Sequence, residues 1–229
     1  MGSKAKRRLK AFPALVFDTE TTGKPLDYKA PITAVDNWPH VVQLGMAMVH
    51  PNGDVEEWCR LIKPPNGVAY PIPSEATAIH GITDQMCVEQ GVSLHVALEL
   101  FCFWATGAKA IVAHNLDFDR PVLGCEMHRT KIKPVFPLDK EGKEARPMNV
   151  CTMKATMELV GIPLGWYIKD QPYKWPNLQQ LHTKLFDVGF EGAHDAMEDV
   201  RATVRCYQEL IKRGKFTDTY NFLPTQPSK

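Results

Sequence analysis

Charge of one sign is what this chain has least of. Its 27 lysines and arginines stand against 26 aspartates and glutamates, a formal net charge of +1. That excludes a surface that is basic throughout, so any polyanion must be held by a local patch. Cysteine is sparse and scattered, six residues at 59, 87, 102, 125, 151 and 206 with no Cys-x-x-Cys. This excludes a zinc ribbon and a disulfide scaffold and fits a reducing compartment. Cys125 and His128 have a spacing seen at metal sites, but no second pair accompanies them, and packing is the expected role. No apolar run approaches the ~20 residues that span a bilayer, and no signal-peptide pattern follows the basic start. The chain reads as soluble, intracellular and cytoplasmic, with no membrane partner. Internal repeats and low-complexity segments are also lacking, and nothing announces an oligomeric state.

What is present suits an α/β domain. With 44% hydrophobic residues in 229, the chain can bury a full core. We expect one domain over residues 12–213, between a basic tail at 1–11 and a C-terminal tail at 214–229. The basic run at 4–10 suits contact with a polyanion and equally a solvated tail. Apolar residues 14–17 predict a first strand. Residues 41–50 and 55–62, joined by Pro51-Asn52-Gly53-Asp54, predict a hairpin that makes strands one to three an antiparallel edge. A short helix is expected over 74–80 with Ser74 as N-cap, and an amphipathic helix over 93–106 closed by Gly107. A buried strand at 110–113 leads to a helix with Pro121 in its first turn. A loop at 133–147, a strand at 149–152, a helix running on to Val160 and a short helix at 177–186 complete the order. The fold class is therefore α/β, with an antiparallel three-strand edge.

The chemistry-bearing residues cluster at strand ends. Asp18 and Glu20 are alternate residues of the first strand, so both carboxylates share a face. Carboxylates at the end of a buried strand lose hydration and repel one another, and a divalent cation is the usual remedy; from this pair alone an acidic loop after a strand is the alternative. The second strand end carries Asn115-Leu116-Asp117-Phe118-Asp119. In the last helix, Asp195 and Glu198 match a capping box, which leaves Asp199 open between a site role and the helix dipole, which favours an acid in the first turn; His194 is one turn away.

Taken in order, Asp18-Thr19-Glu20, Asn115 to Asp119 and His194 to Asp199, with Ile79-His80-Gly81-Ile82-Thr83 between, resemble the DEDDh branch of the DnaQ-like 3′→5′ exonucleases, in the ribonuclease H-like superfamily. The resemblance implies a ribonuclease H-like mixed central sheet, the antiparallel three-strand edge joined to parallel strands and flanked by helices, with metal-binding carboxylates at Asp18, Glu20, Asp119 and Asp199 and a general base at His194. It selects Asp119 over Asp117, whose alternative duty is to cap the following helix. It also implies that Asn115 and the backbone at Thr21, Thr22 and Gly23 hold the terminal nucleotide. His80 is open between nucleotide contact and a satisfied loop histidine. The cofactors implied are two divalent ions, Mg²⁺ or Mn²⁺, because hard oxygen ligands suit these over zinc. With a reference pKa of about 6.5, a neutral His194 can take a proton at physiological pH. The products implied are nucleoside 5′-monophosphates.

The Asp-Thr-Glu-Thr-Thr-Gly and Ile-His-Gly-Ile-Thr elements look most like proofreading-type enzymes, so DNA, single-stranded or with frayed or mismatched ends, is the preferred substrate. An RNA-trimming or oligonucleotide-clearing enzyme is the alternative. So is a non-catalytic recruitment module docking on a polymerase or other replication partner, against which the intact acidic set argues. Trp166, Tyr167, Tyr173 and Trp175, with Lys169 and Lys174, suit either base stacking or packing. Tyr28 and Trp38 are open in the same way between ligand and core. The tail at 217–229 reads as a docking peptide or a frayed end.

Overall fold

A computed structural model describes residues 13–64, 71–136, 147–165 and 171–216. The basic tail at 1–11, Trp166, Tyr167, Lys169 and the tail at 217–229 lie outside the described residues. Six strands form one mixed sheet in the order β4-β3-β2-β1-β5-β6. These are β1 (Ala14–Thr21), β2 (Val41–Val49), β3 (Val55–Lys63), β4 (Val92–Ser93), β5 (Ala110–Ala113) and β6 (Met148–Cys151). β1, β2 and β3 pair antiparallel, and β1, β5 and β6 pair parallel, as expected from the sequence. The helices are α1 (Ser74–His80), α2 (Asp84–Gln90), α3 (Leu94–Gly107), α4 (Leu116–Thr130), α5 (Thr152–Ala155), α6 (Met157–Val160), α7 (Leu178–Phe186) and α8 (Ala196–Lys212).

β2 reads as a nearly unbroken apolar run because all nine of its residues are buried, covered on both faces. On one face Leu15, Phe17, Leu44 and Met46 pack against Leu98 and Phe101 of α3 and Leu123 and Met127 of α4. On the other, Val16, Ala47 and Val112 meet Val200, Val204 and Tyr207 of α8. Asp18 and Glu20 continue the Ala14 and Val16 face by strand alternation, so the apolar stripe of α8 carries Asp199 to them. A third cluster joins Leu181 and Leu185 of α7 to Ala202, Cys206 and Leu210 of α8.

Several local expectations change. Ser74 is the first helical residue rather than the cap, because Pro73 fills the cap position and offers no side-chain acceptor. Pro121 falls in the second turn of α4, since that helix starts five residues earlier, at Leu116. Gly107 is the last residue of α3, and Ala108 caps it. The expected helix to Val160 is two short ones broken at Thr156, whose hydroxyl donates to the Thr152 carbonyl at 2.7 Å. α2 and β4 were not expected; they are too short to show a period, and they form against β3. Trp38 is core, with its indole N–H donating to the Pro31 carbonyl, whereas Tyr28 is exposed. Cys125 is buried and His128 points outward, so the two form no ligand pair.

α8 comes close to the sheet at Gly45, the antiparallel partner of Asp18. A Cβ there would stand 2.6 Å from the Ala196 carbonyl oxygen, at the first turn of α8. Gly45→Ala must therefore push that turn outward, at a cost of about 1–3 kcal/mol. Urea denaturation should show the midpoint falling with its slope unchanged; an unaltered midpoint would mean that the contact is soft.

Candidate active site

The acidic residues converge where β1 and β5 end and α4 and α8 begin. Asp18, Glu20, Asp119, Asp199 and His194 all line one cleft of about 780 Å³, together with Thr21, Thr22, Gly23, His80 and Asn115. The residues to which the resemblance gave a metal, proton-transfer or terminal-nucleotide role thus line one cleft, and Tyr173, Lys174 and Trp175 are not among its lining. The ligand atoms of Glu20, His194 and Asp199 lie within 4.8 Å of one another.

Each is held by specific bonds. Asp119 is buried, and its Oδ1 accepts from the Thr19 backbone N–H at 3.1 Å and the Thr19 hydroxyl at 2.6 Å. The residue between the two β1 acids therefore ties α4 to the strand. Asp195 caps α8, accepting from the N–H groups of Met197 and Glu198. Glu198 does not complete the expected box, because it is drawn to Arg201, which also grips Glu57 on β3. The complete capping box is instead at α7, between Asn177 and Gln180. Gln43, opposite Glu20 in β2, accepts from the Ala196 N–H at 3.0 Å and donates to Asp195 at 3.3 Å, locking the start of α8 to the sheet. Sequence reasoning passed over Gln43, although it is the polar side chain in an apolar strand and that contrast was the available signal.

Two non-glycine residues in the cleft have left-handed backbones, Asn115 at φ 76° and His194 at φ 72°. Such conformations persist where the surroundings enforce them. The His194 N–H donates to Asp199 Oδ2 at 3.0 Å, which fixes that turn. Asn115 occupies the cap position of α4 without spending its side chain on the cap, and that side chain has no hydrogen bond assigned to a cap role. Asp117 does not cap either; it is exposed and pairs with Lys154.

The Thr21 to Gly23 turn is internally tied. Thr21 donates its hydroxyl to the Gly23 carbonyl at 2.7 Å, and Thr22 exchanges bonds with the His40 backbone. His40 in turn reaches Glu126 of α4, a buried carboxylate that also takes the Val41 N–H and pairs with Arg129. His80 has both ring nitrogens engaged, Nδ1 accepting from Ile82 N and Nε2 donating to the Thr21 carbonyl at 3.2 Å. It thereby supports the turn from the far side.

The electrostatics are one-sided. Burial, then repulsion from Asp119, Asp199, Glu20 and Asp195, holds Asp18 well above the ordinary carboxylate range. Burial and the same neighbours push Glu20 up to about 8. Burial raises Asp119 to about 7 against the opposing pull of the Thr19 bonds, and burial raises Asp199. The charges that weigh most on Asp18 and Glu20 are all negative. Such a set of buried oxygen donors fits a hard divalent cation, and Asp18, Glu20, Asp119 and Asp199 are the residues that would hold it.

The comparisons agree with this architecture. Residues 15–207 match the family model described as exonuclease, of the RNase T type. A protein of Escherichia phage 186 described as an uncharacterized exonuclease is 29% identical over 206 residues, covering 87% of this chain and 89% of the relative. A Mycobacterium tuberculosis protein named as a bifunctional exonuclease/endonuclease is 27% identical over 202 residues, covering 87% of this chain and 26% of the relative. The chain thus spans only about a quarter of the mycobacterial protein. E. coli Exonuclease I in complex with a dA16 oligonucleotide superposes with a TM-score of 0.63 at 21% identity, over 88% of this chain and 41% of that one. A zinc-bound form of its single-stranded DNA complex gives 0.64 at 21% identity, over 89% and 41%. At that identity the likeness establishes the fold.

Raised carboxyl pKa values mean that the folded metal-free chain holds protons the unfolded chain releases. Its stability must fall as pH rises from the ordinary carboxylate pKa through the folded values. His80 and His114 have lowered pKa values and act oppositely, but only below about 6.5. Between pH 6.5 and 8 the carboxylates therefore dominate. In chelator, Tm should drop across this window, Glu20→Gln should flatten the drop, and Mg²⁺ should raise Tm more at pH 8 than at 6.5. A Tm that is constant or rising in chelator would contradict the cause assigned to these shifts.

Proposed function

This chain belongs to the RNase T-type exonuclease family, DnaQ-like and within the ribonuclease H-like superfamily, and on that premise we propose that it is a metal-dependent 3′→5′ exonuclease that removes nucleoside 5′-monophosphates from DNA. The observation that carries the reading is the meeting of four carboxylates from three elements, with His194 and Asn115, in one cleft. The catalytic unit is the domain at 12–213, with tails at 1–11 and 214–229. Two Mg²⁺ or Mn²⁺ ions held by Asp18, Glu20, Asp119 and Asp199 would stabilise the attacking and leaving oxygens of a phosphodiester.

The protein's own part in the chemistry is positioning and proton transfer. Asn115 and the backbone of Thr21, Thr22 and Gly23 orient the terminal nucleotide, and His80 supports that turn. His194, exposed at the cleft mouth and fixed by Asp199, accepts a proton from the attacking water on a ring nitrogen. The water oxygen bonds to phosphorus, the bond from phosphorus to the preceding 3′-oxygen breaks, and that oxygen takes a proton from solvent. DNA as substrate is supported by the oligodeoxynucleotide named with the E. coli relative. A polymerase or other replication partner belongs to the same reading.

A second reading of His194 has its own support. Its ring stands within ligand distance of Glu20 and Asp199, an arrangement that suits coordination as well as proton transfer. Asp18→Asn should cut turnover of a 5′-labelled oligonucleotide by about a thousandfold, since the ions contribute several kcal/mol. His194→Ala should cost about 10²–10⁴-fold in kcat while keeping the Mg²⁺-dependent rise in Tm. Loss of that rise would make His194 a ligand. Shortening from the 5′ end would overturn the polarity, and equal rates on RNA would remove the DNA preference.

A further inference from the structure

We propose that Trp175 and Lys154 form a subsite for the nucleotide upstream of the scissile bond, with the indole stacking on its base and the ammonium meeting its phosphate. The inference rests on the nuclease reading above and adds a single-strand preference to it.

Trp175 is 51% exposed, whereas Trp38 is 3% exposed. A large aromatic ring left in water beside a cleft is unusual for a packing residue. It is not on a loose segment. The next residue, Pro176, accepts a 3.0 Å hydrogen bond at its carbonyl from His114 Nε2, and the residue after that caps α7. His114 precedes Asn115, so the backbone beneath the indole is fastened to the strand end that carries the site. Of the other aromatic residues in this segment, Tyr173 is half-buried and pairs with Pro163.

Lys154 stands against this ring, its Nζ 6.0 Å from the centroid, and it grips the Asp117 carboxylate. Its ammonium is thus already placed to hold an anionic oxygen group next to an aromatic face. The neighbours Met153 and Asn177 both line the cleft, which sets the pair on its rim. Among the described residues lining that cleft, Lys24 is the sole lysine or arginine, against Asp18, Glu20, Glu75, Asp119 and Asp199. With the carboxylates matched by protons or cations, a cleft with one lysine and a chain of net charge +1 supply little general attraction for a polyanion. A stacking surface beside the cleft, with an ammonium that can exchange the Asp117 carboxylate for a phosphate, meets that need, and such stacking requires an unpaired base.

The test compares two substrates. One is a ten-residue thymidine oligonucleotide; the other is the 4-nitrophenyl ester of thymidine 5′-monophosphate, which has only the nitrophenyl leaving group, and no nucleotide or phosphate, upstream of the bond to be cut. Trp175→Ala should raise KM for the oligonucleotide about tenfold, the range for one stacked base being roughly fivefold to a hundredfold. Trp175→Phe should restore most of it, and neither change should alter hydrolysis of the ester. Lys154→Gln should lower the salt slope of oligonucleotide binding by about one. Equal effects on both substrates, no effect on either, or failure of Phe to restore KM would overturn the subsite while leaving the nuclease reading intact. Wild-type protein inert toward both substrates would overturn the nuclease reading and the subsite with it.

Discussion

Mutual repulsion among carboxylates buried at the end of β1 is the constraint on which this structure turns. Glu20 and Asp199 have oxygens within 4.8 Å, and two unit charges at that distance repel by roughly 3–4 kcal/mol even in a fairly polarisable interior. A domain is stable by only about 5–15 kcal/mol, so four such groups cannot all stay ionised without help. Protonation relieves the strain in the metal-free chain. A divalent cation would relieve it in a way that leaves the oxygens available as ligands.

The rest of the fold holds those groups together against their repulsion. Thr19 does so for Asp119, using its N–H and its hydroxyl on one carboxylate oxygen. Gln43 and Gly45 do so for α8, one by bonding to Ala196 and Asp195 and the other by having no side chain at the point of contact. The face of β2 that receives α8 also orders Asp199 and His194. The Glu126, His40 and Thr22 connection fixes the turn beyond Glu20 from the opposite side of the sheet. Packing, capping and site geometry are thus coupled through a few residues that carry no chemistry themselves.

The antiparallel edge and the main helices were legible because they rest on local signals. Val, Met and Leu runs, a Pro-Asn-Gly-Asp turn and helical spacing in 93–106 each act within one element. The acidic pair at 18 and 20 was legible through strand alternation, and Asp119, Asp199 and His194 through their order along the chain. What escaped depends on partners distant in sequence. Glu198 satisfies the local capping pattern but is claimed by Arg201, which Glu57 also holds. Asp117 satisfies a local cap pattern and is claimed by Lys154. α2 and β4 are too short to bear a period, and Thr156 breaks a helix through a hydroxyl bond no periodicity reveals. The duty of Gln43 appears only once β2 and α8 are side by side.

The most direct measurement is a Mn²⁺ titration of the purified chain at pH 8, with free ion read by electron paramagnetic resonance. The account predicts two bound ions per chain, and at least one of them lost in Asp18→Asn, whose fold is retained. No binding by the wild-type chain, or undiminished binding by Asp18→Asn, would contradict it.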